Sequence, residues 1–171
     1  MIETIKQRLA EISGQEDVRV LLAVESGSRA WGFEREDSDW DVRFVYVRHP
    51  HWYLSIDKQR DVIERQLPGD LDIAGWDLPK ALGLFARSNP ALNEWLRSPI
   101  VYAQDEHFVS RLRELEPAYL NLNAGLYHYR SMAVTNFRNY LTGERVVLKK
   151  YLYCLRPLLA SRYILRQIGR A

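Results

Sequence analysis

The feature that most constrains this chain is a pair of strand-like apolar runs joined by a linker with special chemistry at both ends. Val20-Leu21-Leu22-Ala23-Val24 reads as a buried strand, and Gly27-Ser28 ends it with a turn able to offer backbone N–H groups and a hydroxyl to an anion. The stretch from Trp40 to Val47 reads as a second strand, entered through Ser38-Asp39-Trp40-Asp41. A period of two puts Asp39 and Asp41 on one face at its start. Two carboxylates so close repel unless a cation lies between them, and hard oxygen donors suit Mg²⁺ bound together with substrate phosphates. An anion-holding turn beside metal-type carboxylates points to phosphoryl or nucleotidyl transfer, with a nucleoside triphosphate as the substrate.

Composition narrows the setting. A chain of 171 residues, 47% hydrophobic and 27% charged, suffices for one compact domain, or for a small catalytic domain with a helical appendage. No apolar run approaches the roughly 18 to 20 residues that span a bilayer, so no membrane partner is expected. Met1-Ile2-Glu3-Thr4-Ile5-Lys6 lacks a basic stretch followed by an apolar one, so no secretory signal is read and the expected location is the cytoplasm. Cys154 is the single cysteine, which excludes an internal disulfide or a thiolate zinc site; its apolar neighbours make it a buried structural thiol. The net charge of +2 is small, but basic residues gather late: Arg138, Arg145, Lys149, Lys150, Arg156, Arg162, Arg166 and Arg170 stand against Glu144. That asymmetry suits either an anionic partner, such as a triphosphate or an RNA backbone, or a solvated basic helix face.

Ile2, Ile5, Leu9 and Ile12 recur at helical spacing and predict an amphipathic helix over 2–13, ending near Gly14 and packing on the sheet. Strands follow at about 18–26 and 40–47, with a turn or helix start at 28–33 between them. Arg60 to Gln66 and Leu71 to Trp76 form a β-hairpin about Pro68-Gly69-Asp70. Asp77 caps a helix with Pro79 in its first turn, and a short helix runs from Asn89-Pro90 to Leu96. Ile100 to Tyr102 is extended, Gln104 to Leu115 is helical, Pro117 interrupts, and two long helices divided near Thr142-Gly143 complete the chain. The expected class is α+β: a small mixed sheet flanked by helices over 1–103, then a C-terminal helical subdomain over 104–171.

Ser28 is the phosphate-binding candidate of the turn, with capping of a following helix as the plainer alternative. Arg29 adds charge for the triphosphate or pairs with Glu34 or Asp37. Asp39 and Asp41 would hold two Mg²⁺ ions about 3.5 to 4 Å apart. A third carboxylate on a neighbouring strand is expected, to ligate the ion at the nucleophile or accept its proton. Asp72 is the first choice; Asp70 shares its face, and Asp61 and Glu64 are further alternatives. Lys149 and Lys150 are candidates for point charges on the β- or γ-phosphate. His128, between tyrosines, reads as helix packing before base stacking.

Gly-Ser followed at this distance by Asp-x-Asp resembles the signature of the DNA polymerase β nucleotidyltransferase superfamily. The chain is similar more specifically to the predicted nucleotidyltransferases of the RNA repair pathway DNA polymerase β family. The likeness rests on residues 27–32, 38–43, 70–78, Ser88-Asn89-Pro90, 94–102, 148–151 and 156–160. That family's pattern continues beyond the Arg156-Pro157-Leu158 helix, whereas this sequence stops at Ala171. The resemblance implies a polymerase-β-like nucleotidyltransferase fold. It also implies triphosphate binding at Gly27 and Ser28, metal held by Asp39, Asp41 and a third carboxylate, and Mg²⁺ or Mn²⁺ as cofactor. The expected reaction transfers a nucleoside monophosphate, from ATP first among the triphosphates, to a hydroxyl at an RNA end. Modification of a protein hydroxyl, as in the AMPylating antitoxins, and non-catalytic nucleotide or RNA binding are the alternatives.

Overall fold

A computed structural model describes residues 1–57, 59–67, 70–143 and 145–168. Two compact units emerge: one comprises 1–86 and 91–118, the other 87–90 and 119–171. In the first, helix α1 (Ile2–Glu16) buries Ile5, Leu9 and Ile12 along one stripe. It runs past Gly14 to Asp17, whose left-handed φ of 51° supplies the stop, its N–H returning to the Ser13 carbonyl. An interior glycine costs a helix only about 1 kcal/mol, less than this packed stripe recovers.

Strands β1 (Val18–Glu25), β2 (Trp40–Arg48), β3 (Val62–Leu67), β4 (Leu71–Asp77) and β5 (Val101–Gln104) form one sheet in the order β3-β4-β2-β1-β5. Only β2 and β4 run parallel, which makes the sheet mixed as expected. β3 and β4 pair as a hairpin; Pro68 and Gly69 of its predicted turn lie outside the described residues. Alternation sorts the side chains onto two buried faces. Ala23, Val42, Phe44, Tyr46 and Ile73 meet the stripe of α1. Leu22, Val24 and Val45 meet Phe85, Leu92, Trp95, Val109 and Leu112 from α2 (Leu78–Ala86), α3 (Pro90–Leu96) and α4 (Glu106–Tyr119). With both faces covered, β1 reads as an unbroken apolar run. Gly75 of β4 lies opposite Phe44 of β2, where a Cβ would come within 2.3 Å of the Phe44 ring.

Asp77 stands at the predicted cap position immediately before α2, its Oδ1 accepting the adjacent Leu78 N–H at 2.8 Å and the Tyr53 hydroxyl at 2.6 Å. Of the turn and the helix start expected at 28–33, the chain forms turns. The expected interruption at Pro117 does not occur: Pro117 sits within α4, which continues to Tyr119. Because α4 sends Val109 and Leu112 into the sheet's core, the division between units falls at 118/119, not 103/104.

The second unit contains α5 (Leu122–Tyr140) and α6 (Leu148–Ile168). Asn121 caps α5 by accepting the Ala124 N–H at 3.0 Å, and its own N–H donates to Ser88 Oγ at 2.9 Å. Pro157 lies inside α6 and cannot donate to the carbonyl of Tyr153 one turn earlier. Asn136 of α5 supplies the missing donor, Nδ2 to Tyr153 O at 2.9 Å. Cys154 is buried and free as expected, and burial pushes its thiol pKa up.

Candidate active site

The site is built where β1 leaves the sheet and β2 enters it. Ser26 N–H donates to the Asp41 carbonyl at 2.9 Å, extending the β1–β2 pairing by one residue. Gly27 then passes so close to the Asp41 side chain that a Cβ would lie 1.9 Å from Oδ2. Glycine is required there by that approach. The turn beyond is closed by the carbonyl of the buried Ser28, which accepts N–H groups from Trp31 and Phe33, each at 3.2 Å.

Asp39, Asp41 and Asp72 line one cavity of about 340 Å³, together with Gln66, Asp70 and Leu71. Sheet register is what gathers them. Asp41 and Asp72 are direct partners on the parallel strands β2 and β4, and Gln66 of β3 lies opposite Asp72. Trp40 N–H donates to Asp70 O at 2.8 Å, tying the two strand entries together. Both candidates for the third carboxylate therefore reach the cavity. Asp61 and Glu64 do not line it and are paired elsewhere, with Lys80 at 3.0 Å and Arg60 at 2.7 Å.

Arg43 continues the i, i+2 series of Asp39 and Asp41 and reaches back across them. Its Nη2 donates to Asp72 Oδ2 at 2.8 Å and to Asp41 Oδ1 at 3.4 Å, while Nη1 donates to Asp72 O at 3.2 Å. A guanidinium thus supplies the positive charge that two facing carboxylates require. Arg29 reaches the backbone just before β2. Its Nη2 donates to Ser38 O at 2.6 Å and its Nε to Asp39 O at 3.3 Å, with the guanidinium 3.9 Å over the Trp40 ring. It pins the segment that carries Asp39.

Four carboxylates around one cavity, with a cation already standing between two of them, are a donor set suited to Mg²⁺ or Mn²⁺. Among the described residues no three His, Cys, Asp or Glu side chains are gathered tightly enough to form a ready-made metal cluster. Asp72 is instead held by Arg43, at 2.8 Å.

Beneath Asp41 lies a residue the sequence reading passed over. Glu25 is fully buried, and its Oε1 accepts the Asp41 N–H at 2.9 Å. Its Oε2 accepts the Tyr102 hydroxyl at 2.6 Å. Burial first, and then that bond to a carboxylate, push the Tyr102 phenol pKa far up. A charged residue ending an apolar strand was the available signal. Lys149 and Lys150 open α6 of the second unit, with Lys150 Nζ 4.1 Å over the Tyr140 ring and 4.7 Å over Tyr153.

Comparison with known proteins gives one family and two similar chains. The uncharacterized protein YcgL of Bacillus subtilis (strain 168) is 48% identical over 164 residues, which make up 96% of this chain and 63% of that protein. The chain thus spans less than two thirds of that relative's length. A solved nucleotidyltransferase-like protein from Exiguobacterium sibiricum 255-15 aligns at a TM-score of 0.41 and 12% identity, over 79% of this chain and 47% of that one. No helix among the described residues is long and apolar enough to cross a membrane. The model of one family matches residues 1–170, a span that takes in every residue of the carboxylate cavity, and the chain belongs to that family, the RNA repair pathway DNA polymerase beta family.

Proposed function

We propose that this protein is a divalent-metal-dependent nucleotidyltransferase, moving a nucleoside monophosphate from a triphosphate, ATP first, to a hydroxyl at an RNA end. The observation that carries this reading is the pairing of Asp41 with Asp72 across parallel strands, with Asp39 on the same cavity beside the Gly27-Ser28 turn. The family's description supplies RNA as the acceptor class. Asp39, Asp41 and Asp72 would hold the metal, which neutralises triphosphate charge and eases ionisation of the acceptor hydroxyl.

The acceptor oxygen forms a bond to the α-phosphorus as the bond to pyrophosphate breaks, and the hydroxyl proton leaves to Asp72 or to water. The turn at Gly27 and Ser28 holds the departing pyrophosphate through N–H groups and hydroxyl. Arg43, which donates to Asp72 Oδ2 at 2.8 Å, occupies the charge position that a metal held by Asp41 and Asp72 would take. The role of Lys149 and Lys150 as phosphate-binding charges rests on the sequence pattern alone, and Lys149→Ala and Lys150→Ala in a triphosphate-binding assay test it. The cytoplasm is the proposed location, where triphosphates abound and a lone thiol stays reduced.

The test supplies the four α-labelled nucleoside triphosphates in turn, with RNA, DNA and protein acceptors, in Mg²⁺ or Mn²⁺. The expected result is label on RNA, lowered at least a hundredfold in Asp41→Asn, since losing even a residue that orients a metal ligand costs about 10 to 100-fold. Label on protein hydroxyls alone would overturn the RNA acceptor. Triphosphate binding with no transfer to any acceptor would leave a non-catalytic binding module.

A further inference from the structure

A fully buried carboxylate at the end of an apolar strand costs several kcal/mol unless both oxygens are met. At Glu25 they are met by neutral donors, the Asp41 N–H and the Tyr102 hydroxyl. The backbone of Glu25 is fixed as well: its N–H donates to Ile100 O at 3.0 Å and its carbonyl accepts the Ser98 hydroxyl at 2.6 Å. Ser26 N–H holds the Asp41 carbonyl at 2.9 Å, so Glu25 and Ser26 together grip Asp41 at both its N–H and its C=O. An apolar side chain would fill this core position at less cost, as replacements of buried charges by packed apolar groups show. What such a side chain could not do is accept the Asp41 N–H.

We infer that Glu25 is a positioning residue of the site: held by Tyr102 and Ser98, it fixes the peptide that carries Asp41 at the edge of the carboxylate cavity. Its consequence for metal binding rests on the function proposed above; its geometry does not. Glu25→Gln separates charge from shape. The amide oxygen can keep the Asp41 N–H while the amide nitrogen donates to the Tyr102 oxygen, so the Asp41 bond survives and only the Tyr102 O–H must turn to another acceptor. Tyr102→Phe removes the second support and leaves the Asp41 bond in place.

The experiment compares wild type, Glu25→Gln and Tyr102→Phe by Mn²⁺ titration with electron paramagnetic resonance detection, by thermal midpoint, and by the Asp41 amide proton in NMR. Glu25→Gln should melt within about 5 °C of wild type. Its Mn²⁺ dissociation constant should rise about tenfold as the Asp41 N–H passes from a carboxylate to a weaker amide acceptor. The Asp41 amide proton should move upfield. Tyr102→Phe should weaken Mn²⁺ about threefold, and it carries the test alone if Glu25→Gln does not fold. An unchanged Mn²⁺ affinity alongside a lowered midpoint would overturn the inference and leave Glu25 a structural residue. If wild type binds no Mn²⁺, the metal-dependent reading falls by itself. The Asp41 amide then decides for Glu25: a shifted resonance upholds the positioning role, and an unmoved one ends it.

Discussion

Gly27 and Arg43 act on the same carboxylate from opposite sides, and each makes a distinct prediction. In Gly27→Ala the new methyl would lie 1.9 Å from Asp41 Oδ2 and 2.7 Å from its Cγ, so the Asp41 side chain must turn away. Overpacking of this kind costs about 1 to 3 kcal/mol, which a folded domain survives. Mn²⁺ affinity and nucleotidyl transfer should fall together by about a hundredfold while circular dichroism stays native; retention of both would detach Gly27 from the site. Arg43→Met removes the cation between Asp41 and Asp72, so in metal-free buffer the variant should lose about 1 kcal/mol, a modest figure because the Asp72 side chain is 46% exposed. Adding Mg²⁺ should raise its thermal midpoint more than that of wild type, and an equal rise in both would discard the stand-in role. Asp39 and Asp41 were readable as a pair from the sequence because period two is a local property, whereas Asp72 could be offered beside Asp70 but not placed opposite Asp41. Glu25, Gln66 and the reach of Arg43 were not readable, because each depends on which residue lies across the sheet, and register is fixed by the fold.

At the scale of elements, α5 and α6 are coupled through a defect. Pro157 leaves the Tyr153 carbonyl without its helical donor, and Asn136 fills the vacancy from the neighbouring helix at 2.9 Å. Asn136→Ala should destabilise the helical unit by about 1 to 3 kcal/mol, the cost of stranding a part-buried carbonyl. Pro157→Ala restores the internal donor, and in that background Asn136→Ala should cost little. A double-mutant cycle read by urea denaturation gives the coupling, and additive losses would show that the two residues act independently. Apolar spacing made α5 and α6 legible as helices, while their join was hidden because it pairs residues 17 apart. The same blindness let Pro117 pass as a helix breaker. A proline near a helix's end removes one N–H, and the packed residues Val109 and Leu112 hold the rest of α4 in place.

Across the whole molecule, the sequence reading placed the division between units by composition, where strands give way to helices, and the fold places it by packing. The end of α1 shows a comparable long-range tie to the sheet. Glu16, at the end of α1, pairs with Arg48 of β2 at 3.3 Å and with Arg65 of β3. Burial pushes the Glu16 carboxyl up, but hydrogen bonds from Arg48 and Arg65 outweigh it and hold the group below its ordinary value of 4.5. The folded chain therefore binds that proton less readily than the unfolded chain does. The stabilisation is complete above about pH 4.5 and is lost as pH falls through the lower folded value. Glu16→Gln keeps the shape and loses the charge, so at pH 7 it should be less stable than wild type by about 1 kcal/mol. Urea midpoints measured from neutral pH down to about pH 3 should converge as wild type takes up the proton that the variant never lost. A gap that stays constant over that range would mean that packing of Glu16, and not its charge, ties the end of α1 to β2 and β3.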